Sequence, residues 1–544
     1  MRKILVTSAL AYANGPLHLG HILEQIQTDI WVRFQKLRGH DCLYLSGDDA
    51  HGTPIMIAAQ KNNLTPEELI ARSKISHEKD SQGFFIDFSN YHTTHSEENR
   101  ELTSLIYERL QKNNDIEVKT IDQAFDEEAS IFLPDRYVKG TCPRCGLEEQ
   151  YGDNCEGCGS TYSPADLLNP ISVLSGKPPV QRASEHYFFE LEKYADFLRG
   201  WTGKNLASEV VNKLNEWLLA GLKAWDISRD APYFGFAIPG VANKYFYVWL
   251  DAPIGYLASF KHLSLRQPLD FDEYFSNDSK VELYHFIGKD ITYFHTLFWP
   301  AILESAGYRK PTNIFIHGFL TVNGQKMSKS RGTFILAQDY LKHLNPEYLR
   351  YYLASKLSAS IDDIDLNFDD FIKKNNGDLV GKVVNIASRS AKFINGNFQG
   401  RLADHLDIPA LFDDAMARAP KIEEAFERRN YNFVVRLIME LADVANQYID
   451  EQKPWVLAKA NPEDPRIQVV ATMGLNLYRL LMIFLKPIVP KLAQDSERFL
   501  RIAPLQWQDY REPLLHHKID TFNPLLSRID SQSVIQLLAA NERK

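Results

Sequence analysis

The sequence predicts an α/β chain in which a parallel-sheet domain is interrupted by a cysteine-bearing insertion and followed by a long α-helical region. Three observations predict it. The first fifty residues alternate strand, helix and strand; residues from about 114 to 230 lose that rhythm and hold four clustered cysteines; beyond about Leu344 apolar residues recur at helical spacing almost to the end. At 544 residues the chain is too long for a single core, so roughly two to four domains are expected.

The opening elements are read in order. Ile4-Leu5-Val6 is a short buried strand, and Tyr12-Ala13-Asn14-Gly15-Pro16 is a turn. Leu23, Ile26, Ile30, Phe34 and Leu37 mark one face of a helix, which Arg38-Gly39-His40 closes with a basic turn and a glycine. Leu43-Tyr44-Leu45 is the next strand, completing a β-α-β unit. The insertion shows few long periodic runs. The sheet is expected to resume with Tyr245–Leu250, then Leu283–Ile287, then Ile314–Ile316. Asn323-Gly324 after Leu320-Thr321-Val322 signals a tight turn presenting Lys326–Ser330 on an exposed loop. Helical stripes follow at Phe433, Leu437, Leu441, Val444 and Tyr448 and at Leu477, Leu480, Leu481, Phe484 and Leu485; beyond Pro513 the tail is mixed. There is no internal repeat and no low-complexity stretch.

Composition narrows the class. Apolar residues make up 44% and charged residues 24%, ordinary for a soluble protein. A net charge of −9 argues against a chain coated in positive charge, while a local basic patch could still meet a nucleic acid. Arg2-Lys3, the apolar run Ile4–Leu10 and Ala11-Tyr12-Ala13 imitate a short signal peptide, but the run contains Thr7 and Ser8 and reads as a first strand. Elsewhere the longest apolar run, Leu480–Leu485, is too short to cross a bilayer, so a soluble cytoplasmic protein without a membrane partner is expected.

Two short motifs carry chemistry. His18-Leu19-Gly20-His21 lies where the first loop enters the first helix, and helix N-termini attract anions. Its imidazoles can donate to phosphate oxygens, and Gly20 leaves room for a flat base against the backbone. Lys326-Met327-Ser328-Lys329-Ser330-Arg331-Gly332, over 300 residues later, offers three cations and two hydroxyls. Aimed at a departing pyrophosphate, such charges lower a barrier without any covalent enzyme intermediate. Alone, each reads equally as an incidental polar turn or a solvated basic loop; together they fit a polyphosphate substrate.

A third motif points to a metal. Cys142-x-x-Cys145 and Cys155-x-x-Cys158 form two knuckles nine residues apart, with Gly146 and Gly159 after each pair. This spacing suits one structural Zn²⁺ held by four thiolates. The alternative, two disulfides, needs an oxidising compartment that nothing else in the chain suggests. Cys42 stands alone.

With the first motif in a strand–turn–helix setting and the second on a hairpin loop, the chain resembles the class I aminoacyl-tRNA synthetases, and among them the bacterial methionyl-tRNA synthetases, from about Lys3 to past Trp455. The resemblance implies a Rossmann-like catalytic domain split by a zinc-knuckle insertion and followed by an α-helical anticodon-binding domain. Expected boundaries are 1–113 and 232–320 for the catalytic halves, 114–231 for the insertion, 321–382 for a stem-contact region with the lysine-serine loop, 383–529 for the anticodon-binding domain and 530–544 for the tail. A closed four-cysteine site sets the chain apart from the cysteine-specific relative, which needs a vacant metal position. An insertion of roughly 115 residues sets it apart from branched-chain relatives with larger editing insertions.

The implied activity is methionine–tRNA ligation. L-Methionine and ATP, with Mg²⁺, give methionyl-adenylate and pyrophosphate. Methionine then passes to the 3′-terminal adenosine of tRNA(Met), initiator tRNA included, first at the 2′ hydroxyl. By resemblance, His18, Gly20, His21 and Lys329 bind ATP, and His18, His21, Lys326, Lys329, Arg229 and Asp290 serve activation, with Lys329 the transition-state lysine. Leu10, Tyr12, Asp49, Trp249, Ala252, Pro253, Tyr256, Phe294 and His295 form the methionine pocket, where Asp49 holds the ammonium. Aromatic and apolar walls suit a polarizable thioether, although without the resemblance Trp249 reads as ordinary core. Asn385, Arg389, Pro454 and Trp455 are the implied anticodon readers, by edge hydrogen bonds and stacking; unaided, Trp455 also reads as core. Many bacterial members continue into a dimerising C-terminal domain, whereas this sequence ends at Lys544 after its helical region, so a monomer is expected. A nucleotidylyltransferase of the same His-x-Gly-His superfamily is the first rival, opposed by the long helical half. A non-enzymatic zinc-knuckle RNA-binding protein is the second, opposed by two intact phosphate loops.

Overall fold

A computed structural model describes residues 1–134, 137–152, 155, 157–158, 162, 164–327 and 333–542. Its centre is a parallel sheet. β1 (Lys3–Ser8) pairs on one side with β3 (Asp41–Asp49), Val6 opposite Tyr44, and on the other with Glu282–Gly288, Val6 opposite Tyr284. β4 (Asn90–Thr93) lies beyond β3, and Asn313–His317 lies beyond Glu282–Gly288. The chain thus builds outward on one side of β1, then returns to build on the other. A crevice forms at the carboxyl ends of the strands where the order reverses, and ligands bind there.

The short β2 (Ala11–Tyr12) prolongs β1 along β3 with a slip of register: Thr7 faces Leu45, but Ala11 faces Asp48. The extra residue makes Ala9-Leu10 a bulge beside the crevice, and such bulges re-aim side chains. α1 (Leu19–Leu37) covers the sheet with the predicted stripe Leu23, Ile26, Ile30, Phe34 and Leu37 buried. Gly39, at φ +80°, takes the left-handed turn that ends it.

The expected strand Tyr245–Leu250 is corrected. Only Lys244–Phe246 is extended, and it pairs antiparallel with Ser228–Asp230, outside the parallel sheet. Val248–Ser264 is a helix. Five aromatic and β-branched residues followed by Leu250 look like a strand, but Leu250, Ile254, Leu257 and Phe260 continue the buried face at helical steps. The expected strands at Leu283–Ile287 and Ile314–Ile316 do lie in the sheet.

Between the two halves stands an antiparallel sheet in which Val180–Phe189 pairs along its length with Ile116–Phe125. Two helices, Ala195–Asn205 and Ser208–Ala220, follow it and pack on each other, although the sequence showed few periodic runs there. The cysteine knuckles hang from a small separate sheet, Gln150–Tyr151, Val138–Thr141 and Leu168–Ser172.

After Leu344 the regular elements among the described residues are helices apart from Ile364–Leu366, which pairs parallel with Leu320–Val322; residues 512–530 are irregular. The helical half grips α1. Arg350, wholly buried, donates to Asp29 Oδ2 at 2.7 Å, to the Phe84 carbonyl at 3.2 Å and to the carbonyls of Pro487 and Ile488 at 3.0 and 2.8 Å. Four acceptors, one of them a carboxylate, compensate the desolvated guanidinium. Among the described residues one helix, Pro465–Leu485, is long and apolar enough to cross a membrane, but 89% of its most apolar window is buried here among its neighbours. It is a core helix.

Candidate active site

A cleft of about 1540 Å³ opens at the carboxyl ends of β1, β3 and Glu282–Gly288. It is lined by Leu10, Tyr12, His18, Gly20, His21, Asp49, Arg229, Trp249, Ala252, Pro253, Tyr256, Asp290, Phe294, His295 and Lys326, all named from the sequence. Lys329, with Ser328, Ser330, Arg331 and Gly332, lies outside the described residues.

The His18–His21 motif caps α1. His18 is the N-cap, and its Nδ1 accepts from the Gly20 N–H at 3.0 Å. The His18 N–H in turn donates to His21 Nδ1 at 3.3 Å, and the two rings stack at 3.8 Å. Each Nδ1 is occupied as an acceptor, so each ring carries its proton on Nε2, a donor suited to phosphate. Burial, then the neighbouring His18, hold His21 well below the usual histidine range. A Cβ on Gly20 would come within 2.8 Å of both His18 Cε1 and Met327 Cε, so a larger residue would have to displace the His18 cap ring and the Met327 tip.

The segment that follows the second motif is bonded to the first by backbone. The Leu19 N–H donates to the Ile335 carbonyl at 3.0 Å, and the Ala337 N–H to the Leu17 carbonyl at 2.9 Å. Phe334 meets the His18 ring edge-on at 4.8 Å. On the other flank the predicted tight turn is present: Asn323 and Gly324 have φ of +49° and +75°, and Thr321 pairs with Lys326. Asp365 Oδ1 accepts from the Gly324 N–H at 2.7 Å and steadies the turn.

Asp49 ends β3 at the cleft. Its Oδ1 is buried without a hydrogen-bond partner, and desolvation, then the charge of Asp251, push its carboxyl well above the usual range. Such a group is complementary to an ammonium. Tyr12 donates to the His51 carbonyl at 2.7 Å. The aromatic wall is flat: Trp249 and Phe294 stack at 3.6 Å, 5° from parallel. His295 Nδ1 donates to the Ile291 carbonyl at 3.1 Å, leaving Nε2 to accept from Tyr256 Oη at 2.9 Å. Burial brings the His295 pKa down to about 4, so the ring is neutral. The wall thus presents apolar faces with one dipolar pair, a match for a thioether.

Arg229 lies 3.6 Å over the Tyr247 ring and donates through Nη1 to the Ser228 carbonyl at 2.6 Å and Asp226 Oδ2 at 3.1 Å. Asp290 sits against Gly288, where a Cβ would meet its Oδ1 at 2.6 Å.

Sequence reasoning missed a buried support for this pocket. His51 Nδ1 pairs with Asp251, on the helix that carries Trp249 and Ala252, while His51 Nε2 meets His95 Nδ1 at 2.9 Å. Glu24 and His317, 3.2 Å apart, also line the cleft and were missed. These are single residues far apart in the chain, with no spacing signal.

The four cysteines converge. Cys142 and Cys158 sulfurs are 3.8 Å apart, those of Cys145 and Cys155 are 3.5 Å apart, and all four ligand atoms lie within 4.8 Å of one another. A tetrahedral Zn²⁺ with bonds of about 2.3 Å needs sulfurs about 3.8 Å apart, whereas a disulfide needs about 2.05 Å. Backbone N–H groups of Arg144, Cys145 and Cys158 point at the sulfurs, as thiolates require. The donor set fits a closed structural zinc site.

A second surface lies on the helical half. Trp455 is 36% exposed, not core, with the Arg389 guanidinium 5.0 Å over its ring. Arg389 also pairs with Asp450. Asn385 begins the helix that carries Arg389, and the buried Pro454 starts the helix that displays Trp455.

Residues 4–391 match the family described as tRNA synthetases class I (M), and residues 407–521 match the anticodon binding domain of methionyl tRNA ligase. Among solved structures, Mycobacterium tuberculosis methionyl-tRNA synthetase in complex with methionyl-adenylate superposes with a TM-score of 0.81 at 24% identity, over 97% of this chain and 100% of that one. The apo form of the same enzyme gives 0.73 at 22% identity, over 97% and 99%. At these identities the likeness is one of fold.

Proposed function

Because the chain belongs to the methionyl branch of the class I tRNA synthetases, and so activates methionine with ATP and charges tRNA with it, we propose how its own residues divide that work. The observation that carries the proposal is the cleft that joins His18, Gly20 and His21, Lys326 and Met327, a buried carboxylate with an unpartnered oxygen and an aromatic wall. Asp49 takes the methionine ammonium. Leu10, Trp249, Ala252, Pro253 and Phe294 enclose the side chain, with Tyr12 and the Tyr256–His295 pair at the polar positions. His18 and His21 donate from Nε2 to the triphosphate of MgATP, and adenine lies along Gly20. Arg229 and Asp290 orient the reacting carboxylate and phosphate. Lys326 and Lys329 take up the charge that grows on pyrophosphate as the methionine carboxylate attacks the α-phosphorus. The scheme needs no acid–base step and no covalent enzyme intermediate.

Methionine-dependent exchange of pyrophosphate into ATP, followed by charging of tRNA(Met), tests the scheme. A nucleotidylyltransferase would exchange without methionine, and a zinc-knuckle RNA-binding protein would not exchange at all. We also propose a cytoplasmic monomer, whose mass sedimentation equilibrium measures.

Zinc held by Cys142, Cys145, Cys155 and Cys158 supplies structure and no reaction step. Elemental analysis should find one zinc per chain, and Cys155→Ser should release it and loosen the knuckle, because folding and binding are coupled in such units. Two disulfides by mass spectrometry would refute the assignment.

Asn385, Arg389, Pro454 and Trp455 are proposed to read the anticodon. Trp455→Ala should remove a stacking contact of about 1–3 kcal/mol, roughly fivefold to over a hundredfold in charging efficiency. Exchange without tRNA and thermal melting should stay at wild-type values. Parallel loss of all three would mean that the residue is structural.

A further inference from the structure

Arg229 shares its carboxylate with a buried histidine. Asp226 Oδ2, which accepts from Arg229 at 3.1 Å, also faces His186 Nδ1 at 2.7 Å, and His186 Nε2 faces Asp230 Oδ2 at 3.0 Å. The His186 side chain is fully buried. A neutral imidazole has one N–H, so a ring with a carboxylate on each nitrogen needs both protons to donate to both. Burial pulls the His186 pKa down, but Asp226 and Asp230 outweigh it and hold the ring above the usual histidine range.

The other groups facing the ring are accounted for. Lys244 Nζ donates to Asp230 Oδ1 at 2.6 Å and to Ser184 Oγ at 2.8 Å, and Ser184 Oγ donates to Asp230 Oδ2 at 2.8 Å. Lys119, opposite His186 in the sheet, turns its ammonium to Glu117 at 2.6 Å. Tyr233, near Arg229, is kept neutral by burial. With His186 protonated, two cationic donors, His186 and Arg229, share Asp226 Oδ2, and Arg229 lines the cleft. With His186 neutral, that carboxylate faces Arg229 as its one charged donor of the two.

We propose that His186 is a positioning residue for methionine activation: as imidazolium it competes with Arg229 for Asp226, and so keeps Asp226 from neutralising the guanidinium that meets the anionic substrate. This rests on the reading in which Arg229 faces phosphate or carboxylate oxygens. His186 touches no substrate; it sets the charge that Arg229 presents. It belongs to the inserted sheet, so the insertion contributes to activation through Asp226 and not only through its shape.

The test is pyrophosphate exchange at saturating methionine, read as kcat/KM for MgATP between about pH 6 and 8.5, with His186→Gln and the double variant His186→Gln/Asp226→Asn. In the wild type, kcat/KM should fall as pH rises and the ring loses its second proton. His186→Gln should be about tenfold lower at neutral pH and lack that fall. The double variant should regain most of the loss, since removing the Asp226 charge replaces the missing imidazolium. A double variant worse than the single, or a single variant with the wild-type pH profile, would overturn the proposal and leave His186 a packing residue. NMR of labelled histidine reads the ring independently of activity, and a neutral His186 at pH 7 would also overturn it. If methionine supports no exchange in the wild type, the ligase scheme falls, whereas the ring's charge state is still decided by NMR.

Discussion

Replacing Lys329 by alanine slows methionyl-adenylate formation by about 10²–10³-fold while methionine affinity stays unchanged. Preorganised charge aimed at a group that becomes anionic only during reaction stabilises the transition state over the ground state. The surroundings support the role. Lys326 and Met327 on one flank of the loop and Phe334 on the other line the cleft, and the flank after Thr333 is bonded by backbone to the entry of α1. Single-turnover adenylation and calorimetric methionine binding together decide it. Equal weakening of methionine binding, with an unchanged chemical step, would remove Lys329 from the transition state.

Asp49→Asn weakens methionine binding by about thirtyfold or more, because truncating one partner of a buried charge pair costs about 2–5 kcal/mol. The substitution keeps the shape and removes the charge. Two further consequences carry a definite sign. Desolvation raises the Asp49 pKa in the free protein, so an ammonium that pairs with the carboxylate must displace its proton. Wild-type methionine affinity therefore rises with pH through the Asp49 range until methionine's own amine deprotonates, and the variant lacks this rise. The folded state also holds the Asp49 proton more tightly than the unfolded chain does. Its stability therefore falls as pH rises from the ordinary aspartate range to the raised one. Asp49→Asn should melt higher than the wild type at neutral pH while binding methionine worse. A variant that loses both stability and binding would mean that Asp49 is structural.

What could be read from the sequence was local. The α1 stripe, the Asn323-Gly324 turn and the cysteine spacing each lie within one element or loop, where period and turn chemistry are decisive. Tyr245–Leu250 was ambiguous because six consecutive apolar residues satisfy either period, and only the continuation to Phe260 resolves it. Val210, Leu214 and Leu218 already carried the stripe of the inserted helix Ser208–Ala220, a short helix ended by Gly221. The supports of the cleft were not legible at all. His51 and Asp251 are 200 residues apart, and His186 and Asp226 are 40 apart; each pair exists only once the sheets are assembled. Trp455 shows the converse limit, since a tryptophan at a helix start looks like core until the surface beside Arg389 is seen.

The central pairing of the sheet has a consequence for synthesis. β1 leaves the ribosome well before one of its two partners, Glu282–Gly288, which lies 278 residues later in the register Ile4 to Glu282. At about 5–20 residues per second that strand follows roughly 15–55 s behind. During that interval β1 can pair with β3, but its other edge, with the apolar faces of Ile4, Leu5 and Val6, has no native partner. The inserted sheet, whose long pair joins residues 116–125 to 180–189, can close first as a separate unit. A nascent chain paused before about residue 290 should therefore hold a folded insertion beside an incomplete sheet. That intermediate is the species a chaperone would meet, and limited proteolysis of stalled chains would reveal it as a protected insertion with a cleavable N-terminal segment.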